Sequence, residues 1–387
     1  MKILFIIGWP LGQGGHINST YALIKDLRKL EGVHNIVLMA PHGEKADAFK
    51  ELGVRYIPLK FSRNNVLFAL YNFIKILKGI TANRISVIHA MDYRGFLAAL
   101  LNNFFVKKKI VFTKAGGKPL PFFLPYSNAL IVFSKELENA YNTNNYFFDL
   151  NRIFLIKERL PIDNFKVFKK KSGFDSDFVF IAMRLMKAKK GLLDNLFDEL
   201  EKVGKPKHGL NIVIAGDGEL RGYCQERASL INLKSENGID FKFLGELNDQ
   251  DLIYQYYVNS KLTVGHGRGL LEAMALGKAV VLLGFDEKGS VLVNKSNVEH
   301  ISNYNFSGRK LGQNSVEFSL HRILKQLDDT GFSLKPYERF NKQYIEAEYD
   351  SKIGAIKTKD IYHKVLEENK SFVWKNLFWM FNKNKLW

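Results

Sequence analysis

Short apolar runs, each long enough for one strand, alternate along this chain with longer segments that have the spacing of amphipathic helices. This alternation is typical of βα units that build a parallel sheet with helices on both faces. The predicted strands of the first series are 3–7, 36–40, 54–58, 87–89, 110–113 and 130–133, and those of the second are 178–182, 212–215, 241–244, 262–264 and 279–283. The sequence therefore predicts an α/β fold with two doubly wound, Rossmann-like domains.

The two series are separated near residues 160–173, where Pro161 and a lysine cluster interrupt the pattern. A chain of 387 residues is also longer than one core usually supports, which is roughly 250 to 300 residues. We therefore expect an N-terminal domain over 1–165 and a C-terminal domain over 172–345. Residues 346–370 are predicted to form a helix that packs back on the N-terminal domain.

The last segment, 371–387, differs in composition from the rest of the chain. It holds three of the four tryptophans, Trp374, Trp379 and Trp387, with lysines and no acidic residue. Aromatic rings suit the headgroup zone of a bilayer, and lysines are attracted to an anionic leaflet. The tail is therefore a candidate membrane-surface anchor, and docking on the protein's own surface is the alternative. The apolar segment 66–77 could assist it, although a core helix is the favoured interpretation.

Composition limits the possible partners and the cellular compartment. Lys and Arg number 57 against 39 Asp and Glu, and the net charge of +18 favours nucleic acid, nucleotide phosphates or an anionic membrane. A general bias toward Lys, Asn, Ile, Phe and Tyr would also produce this charge without any such partner. Cys224 is the single cysteine, which excludes an internal disulfide framework and favours a reducing cytoplasm. No apolar run reaches about 18 residues, so a membrane-spanning helix is not expected.

A glycine-rich loop, 8–16, follows the first strand and precedes a helix. Backbone N–H groups at such a helix start can bind an anion, which makes Gly14 and Gly15 candidate ligand contacts. The loop differs from a dinucleotide-binding fingerprint because Ile17 stands where the third glycine is required. No acidic residue ends the second strand, so a hydride-transfer enzyme is disfavoured. A purely structural turn is the alternative.

The second half carries four motifs that follow strands. They are Arg184 with Lys190 and Gly191, then Gly216-Asp217-Gly218, then Phe243-Leu244-Gly245, and last the stretch 265–281 that contains Glu272. Ligands of open α/β sheets gather at the carboxyl ends of the strands. An arginine fork with a lysine suits a diphosphate, and Glu272 can accept hydrogen bonds from vicinal hydroxyls. Alternatively, a carboxylate in the first turn of a helix only complements the helix dipole.

The order and spacing of these four motifs resemble the nucleotide-binding half of GT-B glycosyltransferases, specifically glycosyltransferase family 4. The first half is similar too, through Gly14-Gly15, 87–90, 131–135 and 162–165. The resemblance covers about residues 1–365 and is strongest in 178–284. It implies a retaining hexosyltransferase that moves a sugar from a UDP- or GDP-linked donor to an acceptor, in a cleft between the two domains. No metal or other cofactor is expected.

The resemblance also implies roles for particular residues. Arg184 and Lys190 would hold the diphosphate, and Glu272 the ribose hydroxyls. Phe243, Leu244 and Gly245 would lie near the base, with Gly216 and Asp217 at the same edge. Gly14 and Gly15 would face the phosphate or the acceptor. In the mechanism usually proposed for this family, the leaving phosphate itself takes the acceptor's proton.

Two departures from the family pattern affect the site. A glutamate common eight positions before Glu272 is replaced here by Val264, so His266 or Arg268, in the loop with Gly269, is a candidate substitute. Arg268 is equally a candidate second phosphate ligand. A histidine often found after the strand 110–113 is replaced by Lys114, which is a candidate near the reacting centre. An acceptor-side glycine turn is the alternative there.

The favoured interpretation is a transferase in bacterial surface-polysaccharide biosynthesis, such as that of lipopolysaccharide or capsule. Its acceptor would be a lipid-linked or membrane-proximal glycan, and the enzyme would be cytoplasmic and peripheral at the inner face of the cell membrane. A sugar-nucleotide epimerase of the same architecture is the first alternative. A nucleic-acid-binding protein is a more distant one, because no binding module is recognisable and the aromatic residues are not interleaved with a basic stripe.

Overall fold

The structure is a computed structural model that describes residues 1–12, 14–60, 66–120, 124–144, 152–170, 177–285, 289–311, 318–329, 332–368 and 376. The chain divides into two compact units. Unit 1 comprises Met1–Leu160 and Tyr349–Trp387, and unit 2 comprises Pro161–Glu348. The chain therefore enters unit 2 at Pro161, a few residues before the boundary expected from the sequence.

Unit 1 is built on one parallel sheet. Its strands are β1 (Lys2–Ile6), β2 (Asn35–Pro41), β3 (Arg55–Leu59), β4 (Val87–Ala90), β5 (Lys109–Lys114), β6 (Ala129–Val132) and β7 (Ile153–Leu155). Its helices are α1 (Gly15–Leu27), α2 (Ala46–Glu51), α3 (Val66–Ala82), α4 (Tyr93–Val106), α5 (Lys135–Asn144) and α14 (Ser351–Glu367). The strand order is β3-β2-β1-β4-β5-β6-β7. The order reverses between β1 and β4, which is where open α/β sheets bind ligands.

The C-terminal helix α14 completes the core of unit 1. Ala355, Ile361 and Tyr362 of α14 are buried in one cluster with Leu23 and Leu27 of α1. The Asp350 side chain caps α14 by accepting a hydrogen bond from the backbone N–H of Lys352 at 2.9 Å. The helix therefore supplies apolar surface that the sheet of unit 1 needs on this face.

Unit 2 has a second, smaller sheet. Its strands are β8 (Phe178–Ala182), β9 (Leu210–Ala215), β10 (Ile239–Gly245), β11 (Leu262–Gly265), β12 (Val280–Leu283) and β13 (Ser290–Leu292). Its helices are α6 (Ile162–Phe165), α7 (Lys190–Glu201), α8 (Arg221–Lys234), α9 (Gln250–Asn259), α10 (Arg268–Ala275), α11 (Val298–Asn303), α12 (Leu320–Asp328) and α13 (Lys335–Glu348). The strand order is β10-β9-β8-β11-β12-β13, and β13 is antiparallel to β12. The expected fold of two doubly wound α/β domains is confirmed.

The inner strands of unit 2 are mostly apolar because both faces of the sheet are covered by helices, whereas the edge strand β10 exposes Asp240 and Lys242. Ile181, Ile212 and Val264 are almost fully buried, in one cluster with Leu192 and Leu196 of α7. Val264 occupies the position of the expected glutamate. Because it lies inside β11 and pairs with Val281, its side chain serves the core.

Two expectations about apolar segments have different outcomes. Among the described residues, no helix is long and apolar enough to cross a membrane. Segment 66–77 is helical as part of α3, but Leu67, Leu70 and Ile74 are exposed, so the expectation of a core helix is wrong for that face.

The tail prediction lies outside the described residues except at Asn376. Its buried side chain accepts a hydrogen bond from the backbone N–H of Tyr126 at 2.7 Å and donates one to the Tyr126 carbonyl at 3.0 Å. This pair of bonds resembles the pairing of two strands and attaches Asn376 to unit 1. At this one position, the contact is with the protein's own surface.

Candidate functional site

Three of the predicted motifs meet at the carboxyl edge of the unit 2 sheet. The backbone N–H of Met183 donates to the carbonyl of Ala215 at 3.0 Å, that of Leu185 to Asp217 at 3.0 Å, and that of Gly216 to Gly245 at 2.8 Å. The segment after β8, the turn after β9 and the end of β10 are therefore joined by backbone hydrogen bonds. Arg184 projects from the middle of this arrangement and is exposed.

Gly216 is required by this close packing. Its φ is +148°, and a Cβ atom there would lie 1.9 Å from the carbonyl oxygen of Met183. Gly218 has the same φ, and a Cβ atom there would lie 2.4 Å from the carbonyl oxygen of Leu185. Both glycines thus let the turn after β9 approach the Arg184 segment more closely than any side chain would allow.

A cationic cluster, defined here as Arg184, Lys189 and Arg309, lies at this edge. Burial lowers the pKa of Lys189 below its usual value, and the positive charges of Arg309 and Arg184 lower it further. Burial and then the charge of Lys189 lower the pKa of His266, which follows β11, to about 3. Arg184 and His266 follow β8 and β11, the neighbouring strands at which the order of this sheet reverses. The cluster thus occupies the ligand-binding position of such a fold.

Lys190, the residue expected beside Arg184, has other partners. It is the first residue of α7, and its Nζ lies 2.8 Å from Asp194 Oδ2 and 4.9 Å from the ring centroid of Tyr223. The hydrogen bond with Asp194 raises the pKa of Lys190. The structure therefore groups Lys189, rather than Lys190, with Arg184. This grouping was not predicted from the sequence, because three of the four residues before Gly191 are lysines and the strand-to-helix spacing alone does not choose between them.

Glu272 lies in the second turn of α10, which begins at Arg268. The alternative interpretation, in which a carboxylate in the first turn only complements the helix dipole, is therefore wrong. Glu272 is buried, and its Oε1 accepts a hydrogen bond from Nε of the largely buried Arg268 at 2.7 Å. Tyr254 and Tyr257 of α9 lie close enough that the Glu272 charge raises the pKa of both, after the larger effect of burial.

Arg268 and Gly269 thus serve the environment of Glu272. The guanidinium of Arg268 is paired with a carboxylate four residues away, so this candidate phosphate ligand carries a compensated charge. Gly269 allows close contact with α9, because a Cβ atom there would lie 2.9 Å from the Tyr257 hydroxyl oxygen. The two tyrosines were not identified from the sequence, since α9 carries no motif that marks them.

The remaining candidates of unit 2 shape the turns of the edge. Asp217 accepts a hydrogen bond from its neighbour Gly218 at 2.8 Å and from Arg221 at 2.8 Å. The ring of Phe243 packs against the unit 2 core. Gly245 has a φ of +72°, which favours glycine. The side chains of Asp217 and Phe243 are therefore engaged within the protein, and backbone groups are what these two turns offer to a ligand.

In unit 1 the glycine loop lies at the corresponding edge. Gly14 is the N-cap of α1 without a side-chain cap, and Gly15 is the first residue of the helix. His16 follows; burial lowers its pKa, while the charges of Asp92 and Glu158 oppose that shift. The Nε2 atom of His16 is buried and finds no hydrogen-bond partner in the part of the chain that the structure describes. His16 was not selected from the sequence, although its place beside two glycines at a helix start was visible there.

Asp92, between β4 and α4, connects this loop to the βα unit that lies beside β1 in the sheet. One of its carboxylate oxygens accepts the backbone N–H of Gly8 at 2.7 Å, and the other accepts that of Gly95 in α4 at 2.7 Å. Lys114 ends β5 at the same edge, with its Nζ 2.5 Å from the carbonyl oxygen of Gly116 in the following turn. This ammonium group therefore supports a glycine turn, which is the alternative that sequence analysis left open.

Across the described residues there is no group of three or more His, Cys, Asp or Glu side chains that could hold a metal ion. Residues 164–307, most of unit 2, match the family model described as Glycosyl transferases group 1. No curated protein sequence matches the chain at a significant level.

Solved structures share the fold over almost the whole chain. A glycosyltransferase from Rickettsia africae is 16% identical, with a TM-score of 0.66 over 95% of this chain and 99% of that one. HepE from Anabaena, in complex with UDP and glucose, is 16% identical, with a TM-score of 0.64 over 94% and 100%. A putative UDP-N-acetylglucosamine 2-epimerase from Listeria monocytogenes is 14% identical, with a TM-score of 0.58 over 95% and 97%.

These findings give the fold of the chain and the family of one domain. The structural likeness, at such low identity, shows the fold, which is that of GT-B glycosyltransferases. The family match assigns a glycosyltransferase group 1 domain to unit 2. Unit 2 thus carries a glycosyltransferase group 1 domain, and the whole chain has a fold that GT-B glycosyltransferases share.

Proposed function

We propose that the chain is a retaining glycosyltransferase that takes its sugar from a nucleoside-diphosphate donor bound at the carboxyl edge of the unit 2 sheet. The observation that carries this proposal is that the cationic cluster lies at the edge where β8 and β11 end. Arg184 follows β8 and Lys189 directly precedes α7, while Gly308, the neighbour of Arg309, accepts a hydrogen bond from the backbone N–H of Phe285 after β12 at 2.9 Å. A diphosphate is the ligand that such a group of cations favours, because a guanidinium fork and an ammonium together match its oxygens. The binding of UDP by HepE, a protein of the same fold, supports the same ligand class.

The chemistry of the cluster fits the departure of a nucleoside diphosphate. Breaking the bond between the anomeric carbon and the diphosphate oxygen leaves negative charge on that oxygen. Fixed positive donors stabilise this charge more strongly in the transition state than in the ground state. His266 stays neutral at pH 7 because its pKa is about 3, so it can donate a hydrogen bond without adding charge. In the retaining mechanism we propose, the departing phosphate oxygen takes the proton of the acceptor hydroxyl.

The nucleoside half of the donor has a place in the same proposal. Glu272 would accept hydrogen bonds from the ribose hydroxyls, with Arg268 fixing the carboxylate through its 2.7 Å contact. The backbone of Gly216, Asp217, Leu244 and Gly245 would contact the base. Phe243 would support this edge from the core. Lys190 would act indirectly, through its contacts with Asp194 of α7 and Tyr223 of α8.

The acceptor side is assigned to unit 1. Gly14 and Gly15 offer backbone N–H groups at the start of α1, and His16 lies beside them with a low pKa. Its Nε2 atom, which has no hydrogen-bond partner among the described residues, can form a hydrogen bond with an acceptor hydroxyl. Lys114 would shape the neighbouring turn through Gly116. No metal or cofactor has a role in this proposal.

The acceptor we propose is a lipid-linked or membrane-proximal glycan of bacterial surface-polysaccharide biosynthesis, such as that of lipopolysaccharide or capsule. The net charge of +18 supports work near an anionic membrane, with the enzyme peripheral at its inner face. The tail 371–387 would contribute to this contact around the position fixed by Asn376. Nucleic acid is not part of the proposal.

An epimerase acting on a nucleotide sugar is the second candidate, since a putative epimerase shares the fold. Incubation with a panel of UDP and GDP sugars and membrane lipid extract, followed by mass spectrometry, separates the two. Transfer predicts a lipid product heavier by one sugar residue, together with free UDP or GDP. If one nucleotide sugar is converted into another without an acceptor, the protein is an epimerase and not a transferase. If no donor is consumed, both candidate functions are overturned.

A further inference from the structure

Helix α3 is apolar on two sides: Ile76 and Ile80 are buried in the core of unit 1, and a second apolar side is exposed. Leu67, Leu70 and Ile74 lie along one side of the helix at intervals of three and four residues and are 74%, 56% and 44% exposed. The buried residue Asn72 instead faces inward, where its side chain accepts from the Lys60 N–H at 2.9 Å and donates to the Lys60 carbonyl at 2.8 Å. A helix that buries an amide and exposes leucines carries an apolar face that the core of unit 1 does not use.

Helix α4 extends this apolar face. Leu101 and Phe105 are 45% and 68% exposed, and the Phe105 ring contacts Phe73 of α3 in an edge-on arrangement with centroids 5.4 Å apart. A cavity of about 250 Å³ opens between the two helices, lined mostly by apolar atoms that include those of Ile76 and Leu97. Exposed apolar side chains on two packed helices form a patch of the kind that marks an interaction site.

Cations surround this patch. Lys60 and Arg94 line the cavity, and Lys78 and Lys107 are exposed on α3 and at the end of α4. The guanidinium of Arg94 lies 4.0 Å from the ring centroid of Trp9, a partly exposed aromatic residue with the amphipathic character of interfacial tryptophans. Apolar side chains within a ring of cations are typical of surfaces that bind anionic amphiphiles.

The charge of this part of the sequence is strongly one-sided. Residues 52–135 contain thirteen Lys and Arg but one acidic residue, Asp92. The carboxylate of Asp92 is occupied by the backbone N–H groups of Gly8 and Gly95, at 2.7 Å each. The segment therefore offers positive charge that no acidic side chain of its own compensates at the surface.

We propose that the α3–α4 face, comprising the exposed residues Leu67, Leu70, Ile74, Leu101 and Phe105 with the surrounding cations, docks on an anionic lipid bilayer. The apolar side chains enter the boundary between headgroups and acyl chains, and the cavity between the helices takes an apolar chain. A second copy of the protein is a poor occupant, because a twofold contact would bring two cationic rims together. This inference deepens the proposed function, since it rests on a membrane-embedded acceptor, but bilayer binding is measured without sugar transfer.

Co-sedimentation of the full-length chain with vesicles tests the apolar part of the face. The double variant Leu70→Asn/Ile74→Asn removes apolar surface that the core does not use. Leu230→Asn/Leu233→Asn is the matched control, because these two leucines of α8 in unit 2 are similarly exposed. We expect the α3 variant to bind phosphatidylglycerol-containing vesicles on the order of tenfold more weakly than the parent, and the control to bind like the parent.

The charge requirement has its own pair of variants. Lys60→Glu/Lys78→Glu should weaken binding to anionic vesicles, whereas Lys242→Glu/Lys325→Glu, which makes the same charge change at exposed lysines of unit 2, should weaken it much less. Purely phosphatidylcholine vesicles should bind the parent weakly, and added salt should reduce binding to the anionic vesicles.

Three results would overturn the inference. The first is that the parent binds anionic and zwitterionic vesicles equally well. The second is that the α3 variant binds vesicles like the parent, while deletion of 371–387 abolishes binding. The third is a dimer in sedimentation velocity that the α3 variant dissociates, which would assign the face to a second copy. Thermal stabilisation by UDP or GDP is measured on every variant. A variant that UDP or GDP still stabilises but that no longer binds vesicles supports the docking face. If neither nucleotide stabilises the parent, that result counts against the proposed function alone.

Discussion

Lys189 and Lys190 are adjacent in sequence but lie in different surroundings. Lys190 is paired with Asp194, whereas Lys189 feels the positive charges of Arg184 and Arg309 and loses part of its hydration. A partly desolvated cation held near other cations gains more from an incoming diphosphate than a fully hydrated cation does. The residue types at this edge could be predicted from the sequence, but the choice between neighbouring lysines depends on where α7 begins, which is decided by packing.

We expect Lys189→Ala to lower turnover by about 10² to 10³, because a fixed donor to the developing phosphate charge is lost. Arg184→Ala should have a similar effect. Lys190→Ala is the matched comparison and should stay within a few-fold of the parent, since its ammonium is already engaged by Asp194. Steady-state kinetics with the identified donor measure all three. If Lys190→Ala lowers turnover as much as Lys189→Ala does, Lys190 rather than Lys189 alone binds the diphosphate.

The pH dependence of donor binding should depend on Lys189. Because its pKa lies below the usual value, the ammonium form that binds phosphate is lost as pH rises through that lowered pKa. Affinity for UDP or GDP is therefore expected to be full below this pKa and to fall above it. Arg309→Ala removes a neighbouring positive charge, raises the pKa of Lys189 and should move the fall to higher pH. Calorimetric titrations over a pH series that ends near the usual lysine pKa of 10.5 measure the midpoint, and an unmoved midpoint would contradict the role of Arg309.

At the scale of elements, sequence patterns identify strands better than they identify edges and surfaces. The buried parallel strands are apolar runs long enough to be recognised, so β1, β8 and β11 could be predicted. The three-residue strands β7 and β13 are too short to show a period. Helix α3 is apolar on both sides, and only the structure shows that Asn72 faces inward while Leu70 faces out. Glu272 likewise required the start of α10 to be known.

The turn between β9 and α8 is expected to depend on its glycine. Gly216→Ala should destabilise unit 2 by about 1–3 kcal/mol, because the backbone conformation is unfavourable for alanine and the added methyl group meets the Met183 carbonyl. Gly222→Ala is the control: it lies in α8 with open space around it and should be neutral or stabilising by up to about 1 kcal/mol. Urea unfolding measures both. Equal stability of the two variants would show that the turn can relax.

For the whole molecule, the C-terminal helix links distant parts of the chain within unit 1. The buried ring of His89 in β4 lies between Tyr362 of α14, at 2.6 Å from its hydroxyl, and Thr113 of β5, at 2.7 Å. Burial lowers the pKa of His89 well below 6.5, and the charge of Arg159 lowers it further. The sequence predicted that a C-terminal helix would pack on unit 1, but not this buried polar contact.

Unit 1 should therefore lose stability in mild acid. The unfolded chain binds a proton at His89 near pH 6.5, whereas the folded chain does not. The contribution of His89 to the free energy of unfolding is therefore complete above pH 6.5 and is lost as the pH falls from there toward the pKa of the folded state. His89→Gln should flatten the slope of unfolding free energy against pH between 6.5 and 5, whatever its effect at pH 8. Urea titrations at a series of pH values measure this slope. A slope unchanged by the substitution would assign the acid sensitivity to other groups.

Isothermal titration calorimetry with UDP and GDP on the full chain tests most directly whether the cationic cluster at the edge of the unit 2 sheet binds a nucleoside diphosphate. We predict one nucleotide per chain, and an affinity reduced by about 10 to 100 times in Arg184→Ala, because a charged hydrogen-bond donor contributes roughly 1.5–3 kcal/mol. Failure of both nucleotides to bind, or parental affinity in Arg184→Ala, would contradict this prediction.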